Sequence, residues 1–319
     1  MITKARRIKI VCFGGGTGMP SLLSGLKHNP WFEVTAVVNM FDTGGSSGEL
    51  KDKFGILPPG DVLRCLLALS EDEAGARKIL LKRIDHPSFS GHTGGNLLLM
   101  AFEKVYGNHL DAVNSLAQVL SVKGRVVPVT SLQGTLCASY ADKTIKKGET
   151  NIDKYLFAGN EISNLFIEPE VRASRLSIKA VKEAEILCVG PGSFYTSILP
   201  NFLPGGIKDE IKKSKTPIIF IGNLLTEGLG MKKYKVETVV KILEKYLGRK
   251  VSAIVVNNRF PDKKVLDNYA KENKYPLKLN GAEDRRVVSA GLWSDTNIAR
   301  HDSNLLANLV SSVIHKLID

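Results

Sequence analysis

Ile8-Lys9-Ile10-Val11-Cys12-Phe13-Gly14-Gly15-Gly16-Thr17-Gly18-Met19-Pro20 is the stretch that decides the fold. Its first half is a run of β-branched and apolar residues, which reads as a buried strand over Ile8–Phe13. Gly14–Gly18 breaks the run as a loop, and Pro20 suits the first turn of a helix reaching His28. A strand passing through a glycine loop into a helix opens a β-α-β unit. The same pattern recurs outward along the chain. Val34–Met40 reads as a second strand, and Ile186–Val189, Pro217–Ile221 and Val251–Val256 are further apolar strands, each followed by a loop and helical periodicity. Strands alternating with helices predict a Rossmann-like, doubly wound α/β fold, its mainly parallel sheet covered by helices on both faces.

One stretch departs from that rhythm. Val126–Asn151 carries Thr130-Ser131-Leu132-Gln133-Gly134-Thr135 and Lys146-Lys147-Gly148-Glu149-Thr150, short strands and turns that suit a small β-rich insertion around residues 126–180. The chain is otherwise read as one Rossmann-like domain over residues 1–319. From Asp302 onward, Leu305, Leu306, Leu309, Val310, Val313 and Leu317 follow helical spacing behind an Asp302 or Ser303 cap. That helix packs on the core in the simpler reading and forms a homodimer face in the sharper one.

Composition narrows the class of function. The chain has 319 residues, of which 43% are hydrophobic and 24% charged, enough for a sizeable core. No apolar run approaches the ~18 residues that span a bilayer, and the apolar segment behind the basic N-terminus ends in a glycine loop instead of a cleavage site. The 4 cysteines are widely spaced, neither a metal knuckle nor a disulfide framework, which fits a reducing cytoplasm. The net charge of +12 invites a nucleic-acid reading, but the lysines are scattered over helix faces with no aromatic-interleaved stripe. Small anionic ligands are the better match.

Four segments place glycines ahead of a predicted helix: Gly14–Gly18, Gly44–Gly48, Gly91–Gly95 and Gly190–Gly192. Glycine lets backbone approach a ligand closely, and a helix N-terminus offers free N–H groups at a positive dipole end. In a parallel sheet such loops gather at the carboxyl edge, where ligands bind at the switch point. Together they point to a phosphate-bearing ligand such as a nucleotide diphosphate. Gly14, Gly15, Gly16, Thr17 and Gly18 form a close-packed variant, since Met19 breaks G-x-G-x-x-G, and the absence of G-K-[ST] excludes a P-loop NTPase. Asp42, just past the second strand, suits a ribose hydroxyl, a divalent ion or an acceptor hydroxyl, or simply caps the turn that follows. Gly45, Ser46 and Ser47 also match a nucleophile elbow that Asp295 and His301 would complete in order, but only two strands precede it, so an anion-binding turn is preferred. Asp61 is a natural N-cap with Arg64 one turn on, a capping pair or a phosphate contact. His92 shares its loop with glycines and Asn96. No Cys/His cluster supports a protein-built metal cage; a hard cation such as Mg²⁺ would be held by Asp42 with ligand phosphates.

Five of these segments, Gly14–Gly18, Asp42–Gly48, Pro58-Pro59-Gly60-Asp61, His92-Thr93-Gly94-Gly95-Asn96-Leu97 and Gly190-Pro191-Gly192-Ser193-Phe194-Tyr195-Thr196-Ser197-Ile198, occur in an order that resembles the CofD-like superfamily. That superfamily holds 2-phospho-L-lactate transferases and YvcK-type gluconeogenesis factors. The resemblance implies two branches of function. The transferases pass a phospholactyl group from a guanosine-diphosphate-activated donor to a deazaflavin, with Mg²⁺. The gluconeogenesis factors are cytoplasmic, support cell shape and growth on gluconeogenic carbon, and are linked to UDP-sugar or dinucleotide binding. The Gly44–Gly48, Pro58–Asp61 and Gly190–Ile198 segments look closer to the second branch. The chain departs from it at Asp42-Thr43, where paired aspartates are usual, at Glu49-Leu50-Lys51, where Arg-x-Arg is usual, and at Leu63, which puts Arg64 one position past the usual arginine.

The expected ligand is a nucleotide diphosphate compound, of UDP-sugar, NAD(P) or GDP type. Gly14–Gly18, Gly190, Gly192 and Ser193 would hold its phosphates. Asn96, Thr196 and Asn223 would meet ribose, base or activated group, with Asn39 a further binding candidate, and Asp42 would be the metal or hydroxyl partner.

Overall fold

The computed structural model describes residues 6–42, 44, 48, 57–86, 91–281, 284–294 and 297–318. Its strands are β1 (Ile8–Gly14), β2 (Phe32–Val38), β3 (Arg125–Pro128), β4 (Thr135–Tyr140), β5 (Ile145–Lys147), β6 (Ile162–Glu168), β7 (Ile186–Val189), β8 (Ile218–Ile221), β9 (Ala253–Asn257) and β10 (Val287–Ala290). The helices are α1 (Met19–Leu26), α2 (Gly60–Leu69), α3 (Glu73–Leu80), α4 (Gly94–Tyr106), α5 (His109–Val119), α6 (Glu149–Phe157), α7 (Arg175–Glu183), α8 (Ile207–Lys213), α9 (Val236–Leu247), α10 (Lys263–Lys271) and α11 (Ser303–Ile318).

Seven strands form one sheet in the order β10-β9-β8-β7-β1-β2-β3, and each neighbouring pair is parallel. Side chains alternate between the faces of a strand. Every residue of β7, β8 and β9 is nonetheless buried, so both faces of the sheet are covered there. The strand order runs from β1 outward to β2 and β3, then returns to β7 on the other side of β1. The switch point of this α/β sheet therefore lies between β1 and β7.

Register explains where the strands end. Ile8 pairs with Phe32 and Gly14 with Val38, so β2 stops where its partner becomes the glycine loop, two residues short of the expected Met40. The first helix likewise ends at Leu26, before the expected His28. At Gly25 it lies against the backbone of Ser303 and the Ala307 side chain of α11. The apolar stripe of α11 is thereby spent inside the molecule: Leu306, Val310, Val313 and Ile314 are buried, while Leu305 stays half exposed. Asp302 caps that helix by accepting from the Leu305 N–H at 2.9 Å.

The insertion is a second sheet, β5-β4-β6, antiparallel throughout. It starts later than expected, because β3 pairs with β2 in the main sheet, and it carries α6, whose start the sequence reads as a turn. All 4 cysteines are free and buried. Cys12 on β1 and Cys188 on β7 are register partners. The hydrogen bond that the Cys12 thiol gives Cys188, together with burial, raises Cys12 well above its ordinary range, and burial raises Cys65 and Cys137 too.

Candidate functional site

Two clefts open on either side of the Gly14–Gly18 loop at the carboxyl edge of the sheet. The first, about 390 Å³, is lined by Thr17, Gly18, Gly192, Ser193, Asn223, Glu227, Lys274, Arg300 and His301, with an apolar side of Leu224, Leu225, Tyr269, Ile298 and Ala299. The second, about 440 Å³, is lined by Gly16, Asp42, Asp61, Arg64, Asn96, Glu149 and Asp153 among others.

The glycines of the first loop answer a packing demand as well as a ligand one. A side chain at Gly15 would land on the Asp61 carboxylate, and one at Gly18 would come within 2.8 Å of the Gly192 nitrogen. The loops after β1 and β7 thus lie directly on each other across the switch point. Asn201 fastens the contact from beneath: its fully buried Nδ2 donates to the Gly14 carbonyl at 3.2 Å and to the Ser197 carbonyl at 2.8 Å. The loop delivers Thr17 and Gly18 to the start of α1, which has neither a side-chain cap nor an acidic residue in its first turn. Pro20 carries no N–H and the Ser21 N–H goes to the Gly18 carbonyl at 3.0 Å, so the helix start meets the first cleft chiefly with its positive dipole end.

The loop after β7 differs from expectation. Gly190–Ser193 leads into a five-residue π-helical turn, Phe194–Ile198, and then a 3₁₀ turn, not an α-helix. Its donors are also engaged already. The Asn223 carboxamide takes the Gly192 N–H at 3.1 Å and donates to the Gly192 carbonyl at 2.6 Å. Glu227 Oε2 accepts from the Phe194 N–H at 2.9 Å and from Ser193 Oγ at 3.1 Å. An internal carboxylate therefore sits where an anion would be held. Burial pushes its pKa up to about 7, against the pull of those two hydrogen bonds.

The remaining candidates fall into three groups. Asp42, Asp61, Arg64 and Asn96 come together in the second cleft. Asp61 is not the cap of α2, whose N-cap is Pro59; it lies in the first turn, takes an N–H from Gly16 and pairs with Arg64 at 2.9 Å. Burial, then the nearby Asp42, raises its pKa, and Arg64 opposes that rise. Asp42 Oδ1 accepts the Gly44 N–H at 2.7 Å, so the turn-capping role is real. Asn39 and His92 line neither cleft. Asn39 spends its carboxamide on the Thr196 carbonyl at 2.9 Å and the Phe41 N–H at 3.2 Å, and His92 is buried. Gly45, Ser46 and Ser47 lie outside the described residues.

The structure adds three side chains that sequence reading missed, and a fourth, His301, that it weighed only as a partner of a nucleophile elbow. Glu149 and Asp153, one turn apart on α6, complete the acidic wall of the second cleft. Burial, then the charge of Asp42 and a hydrogen bond with it, hold Glu149 well above the usual carboxylate range, and its Oε2 is buried without a partner. Burial raises Asp153 to about 6, although Thr196 hydrogen-bonds it. Glu227 and His301 are the additions in the first cleft. His301 is only 6% exposed, and burial lowers its pKa to about 4. The signal for Glu149 was present in Gly148-Glu149-Thr150, an acidic residue at a helix start, but its meaning depends on which loop α6 faces.

Thr196 joins the clefts. Its Oγ1 lies 2.7 Å from Ser193 Oγ, so a hydrogen-bonded path runs from Glu227 through Ser193 and Thr196 to Asp153. Among the described residues, no three His, Cys, Asp or Glu side chains are arranged to hold a metal, and no helix is long and apolar enough to cross a membrane.

Comparison with known proteins agrees with this architecture. The model of the family described as 2-phospho-L-lactate transferase CofD matches residues 10–293. The gluconeogenesis factor of Listeria monocytogenes is 36% identical, covering 98% of this chain and 97% of its own. That of Bacillus subtilis is 33% identical, covering 96% and 98%. A crystal structure from Bacillus halodurans, of a member of the UPF0052 family, superposes with a TM-score of 0.89 at 32% identity, covering 96% of this chain and 99% of that one. A family match over most of the chain, full-length relatives and a shared fold agree: the chain belongs to the CofD family, alongside relatives that carry the name gluconeogenesis factor.

Proposed function

We propose that the chain is a cytoplasmic nucleotide-binding gluconeogenesis factor that supports growth and cell shape on gluconeogenic carbon. Its ligand is a nucleotide diphosphate compound, a UDP-sugar or dinucleotide, held in the first cleft. One observation carries the reading: that cleft joins the uncapped start of α1 at the sheet's switch point to an apolar wall of Leu224, Leu225 and Tyr269. The helix start suits phosphates, and the wall suits a base.

A second reading, a phospho-group transferase, is favoured by the acidic cleft alongside. Mg²⁺ prefers hard oxygen ligands and commonly takes one or two carboxylates together with phosphates. Asp42 and the buried, partnerless Oε2 of Glu149 fit that demand without a protein cage. Such an ion would neutralise phosphate charge when bound. The carboxyl groups that repel one another in this cleft are those a cation would relieve.

Thermal shift and calorimetry with UDP-N-acetylglucosamine, NAD, NADP and GDP, each with and without Mg²⁺, test both readings. A ligand at a hundred times its dissociation constant adds about 2.7 kcal/mol. Metal-independent stabilisation by a UDP-sugar or dinucleotide is the expected result. Stabilisation by GDP only with Mg²⁺ favours the transferase, and no response to any compound overturns both.

A further inference from the structure

Glu227 is the one acidic side chain that lines the first cleft, which it shares with Lys274 and Arg300. Its carboxylate is fixed from behind. Oε2 accepts the Phe194 N–H at 2.9 Å and the Ser193 hydroxyl at 3.1 Å, so two bonds set the direction of the group. Oε1 takes no hydrogen bond and no ion pair among the described residues. The residue is half-buried, and Oε1, unlike the sealed Oε2 atoms of Glu149 and Glu237, stays open to solvent. The neighbouring donors are already committed. The Gly192 N–H goes to Asn223, whose carboxamide donates back to the Gly192 carbonyl, and the Ser193 hydroxyl proton goes to Glu227 itself. The loop after β7 therefore meets the cleft with an acceptor, where the sequence suggests donors for phosphate.

A phosphate oxygen is the wrong partner for Oε1, since two acceptors of like charge would meet with no proton between them. A metal ion is a poor one, because a single carboxylate oxygen is a sparse ligand set and Lys274 and Arg300 share the space. An uncharged O–H or N–H fits, and hydrogen bonds to a charged acceptor are among the strong ones. We propose that Glu227 is a specificity residue of the first cleft, its Oε1 accepting a hydrogen bond from an O–H or N–H donor of the nucleotide, whose phosphates lie away from the loop after β7. The inference rests on the reading that this cleft takes a nucleotide. A ribose or sugar hydroxyl and a base N–H are the sources of such a donor.

The test uses the full chain and calorimetry. Burial holds the pKa of Glu227 at about 7, with Asp153 pushing it up and Lys274 drawing it down, so binding is measured at about pH 8, where the carboxylate is largely ionised. The tightest binder among UDP-N-acetylglucosamine, NAD, NADP and GDP is compared on the wild type and on Glu227→Gln. Glutamine keeps an oxygen for Phe194 and Ser193 but puts an amide N–H₂ where Oε1 stood, so donor meets donor. The variant is expected to bind this parent roughly ten- to a hundredfold more weakly. Both proteins are then given the 2′-deoxy, 3′-deoxy and base-N-methylated analogues, and the nucleoside diphosphate without its attached sugar or second nucleoside. The analogue on which the two proteins agree within about twofold identifies the donor. A variant that binds the parent within about twofold of the wild type makes Glu227 purely structural and overturns the proposal. A loss that persists on every analogue overturns it too, since the carboxylate then acts on the ligand without a donor. Should the variant fail to fold, the wild type alone carries the test: one analogue binds at least about tenfold more weakly than the parent, and parity across the series overturns the proposal. Failure of all four nucleotides to bind the wild type overturns the nucleotide reading and this inference with it, and is seen before any variant is made.

Discussion

Glu227 shows how much one carboxylate can decide. It holds two donors of the loop after β7, and its pKa is raised to about 7 by burial. A carboxyl raised on folding keeps its proton in the native state at pH values where the unfolded chain has released it. Its stabilising contribution is complete below the ordinary carboxylate range and is lost as pH rises through about 7. Glu227→Gln keeps an acceptor for Phe194 without the titration. Between about pH 5 and pH 8 the wild type is expected to lose on the order of 2 kcal/mol relative to the variant in urea unfolding. Parallel stability profiles would show that Glu227 is already ionised. His301 has the opposite sign: with its native pKa held near 4, its contribution is complete above its ordinary value and is lost as pH falls. Glu227 did not stand out in the sequence, and His301 was weighed there only as a partner of a nucleophile elbow. A glutamate after Asn223-Leu224-Leu225-Thr226 and a histidine ahead of a helix are ordinary until the fold places them in one cleft.

At the scale of elements, the parallel strands were legible because burial on both faces makes each a continuous apolar run, as in Ile186–Val189 and Ile218–Ile221. Their loops were legible because glycines are demanded where two loops lie on each other, as Gly18 does on Gly192. The acidic wall was not legible. Glu149 and Asp153 ride on a nine-residue helix whose N-cap, Gly148, has a φ of +82° and offers no side-chain cap, so the start of α6 reads as a turn. The contact of α1 with α3 was equally hidden. Lys27, its side chain 3% exposed, donates to Glu73 at 2.7 Å and to the Ser70 carbonyl at 3.0 Å, while Ser24 and Arg77 each reach Glu73 at 2.8 Å. Burial opposes ionisation of Glu73, yet these partners hold its pKa below the usual value. Glu73→Ala strands a buried ammonium and is expected to lower stability by about 3 kcal/mol. Lys27→Met combined with Glu73→Leu is expected to recover most of that loss. Equal unfolding free energies for the single and double variants would show that the pair is not coupled.

For the whole molecule, the insertion matters because α6 closes the second cleft against the loops of the main sheet, so two chemically distinct spaces share the Gly14–Gly18 loop. The buried thiols of β1, α2, β4 and β7 add a property of another kind. A thiol that water cannot reach does not react with an aromatic disulfide reagent. Each of the 4 cysteines therefore works as a timer that runs only while its own part of the fold is open. Native protein is expected to label slowly, and denatured protein to release 4 equivalents at once. When opening and reclosing are fast, saturation of the first cleft at a hundred times the dissociation constant should slow Cys12 and Cys188 about a hundredfold. A thiol that labels in the native protein as fast as free cysteine would mark a strand that opens independently of the rest. The molecule thus carries its own stopwatch beneath the site, and ligand binding can be read as time.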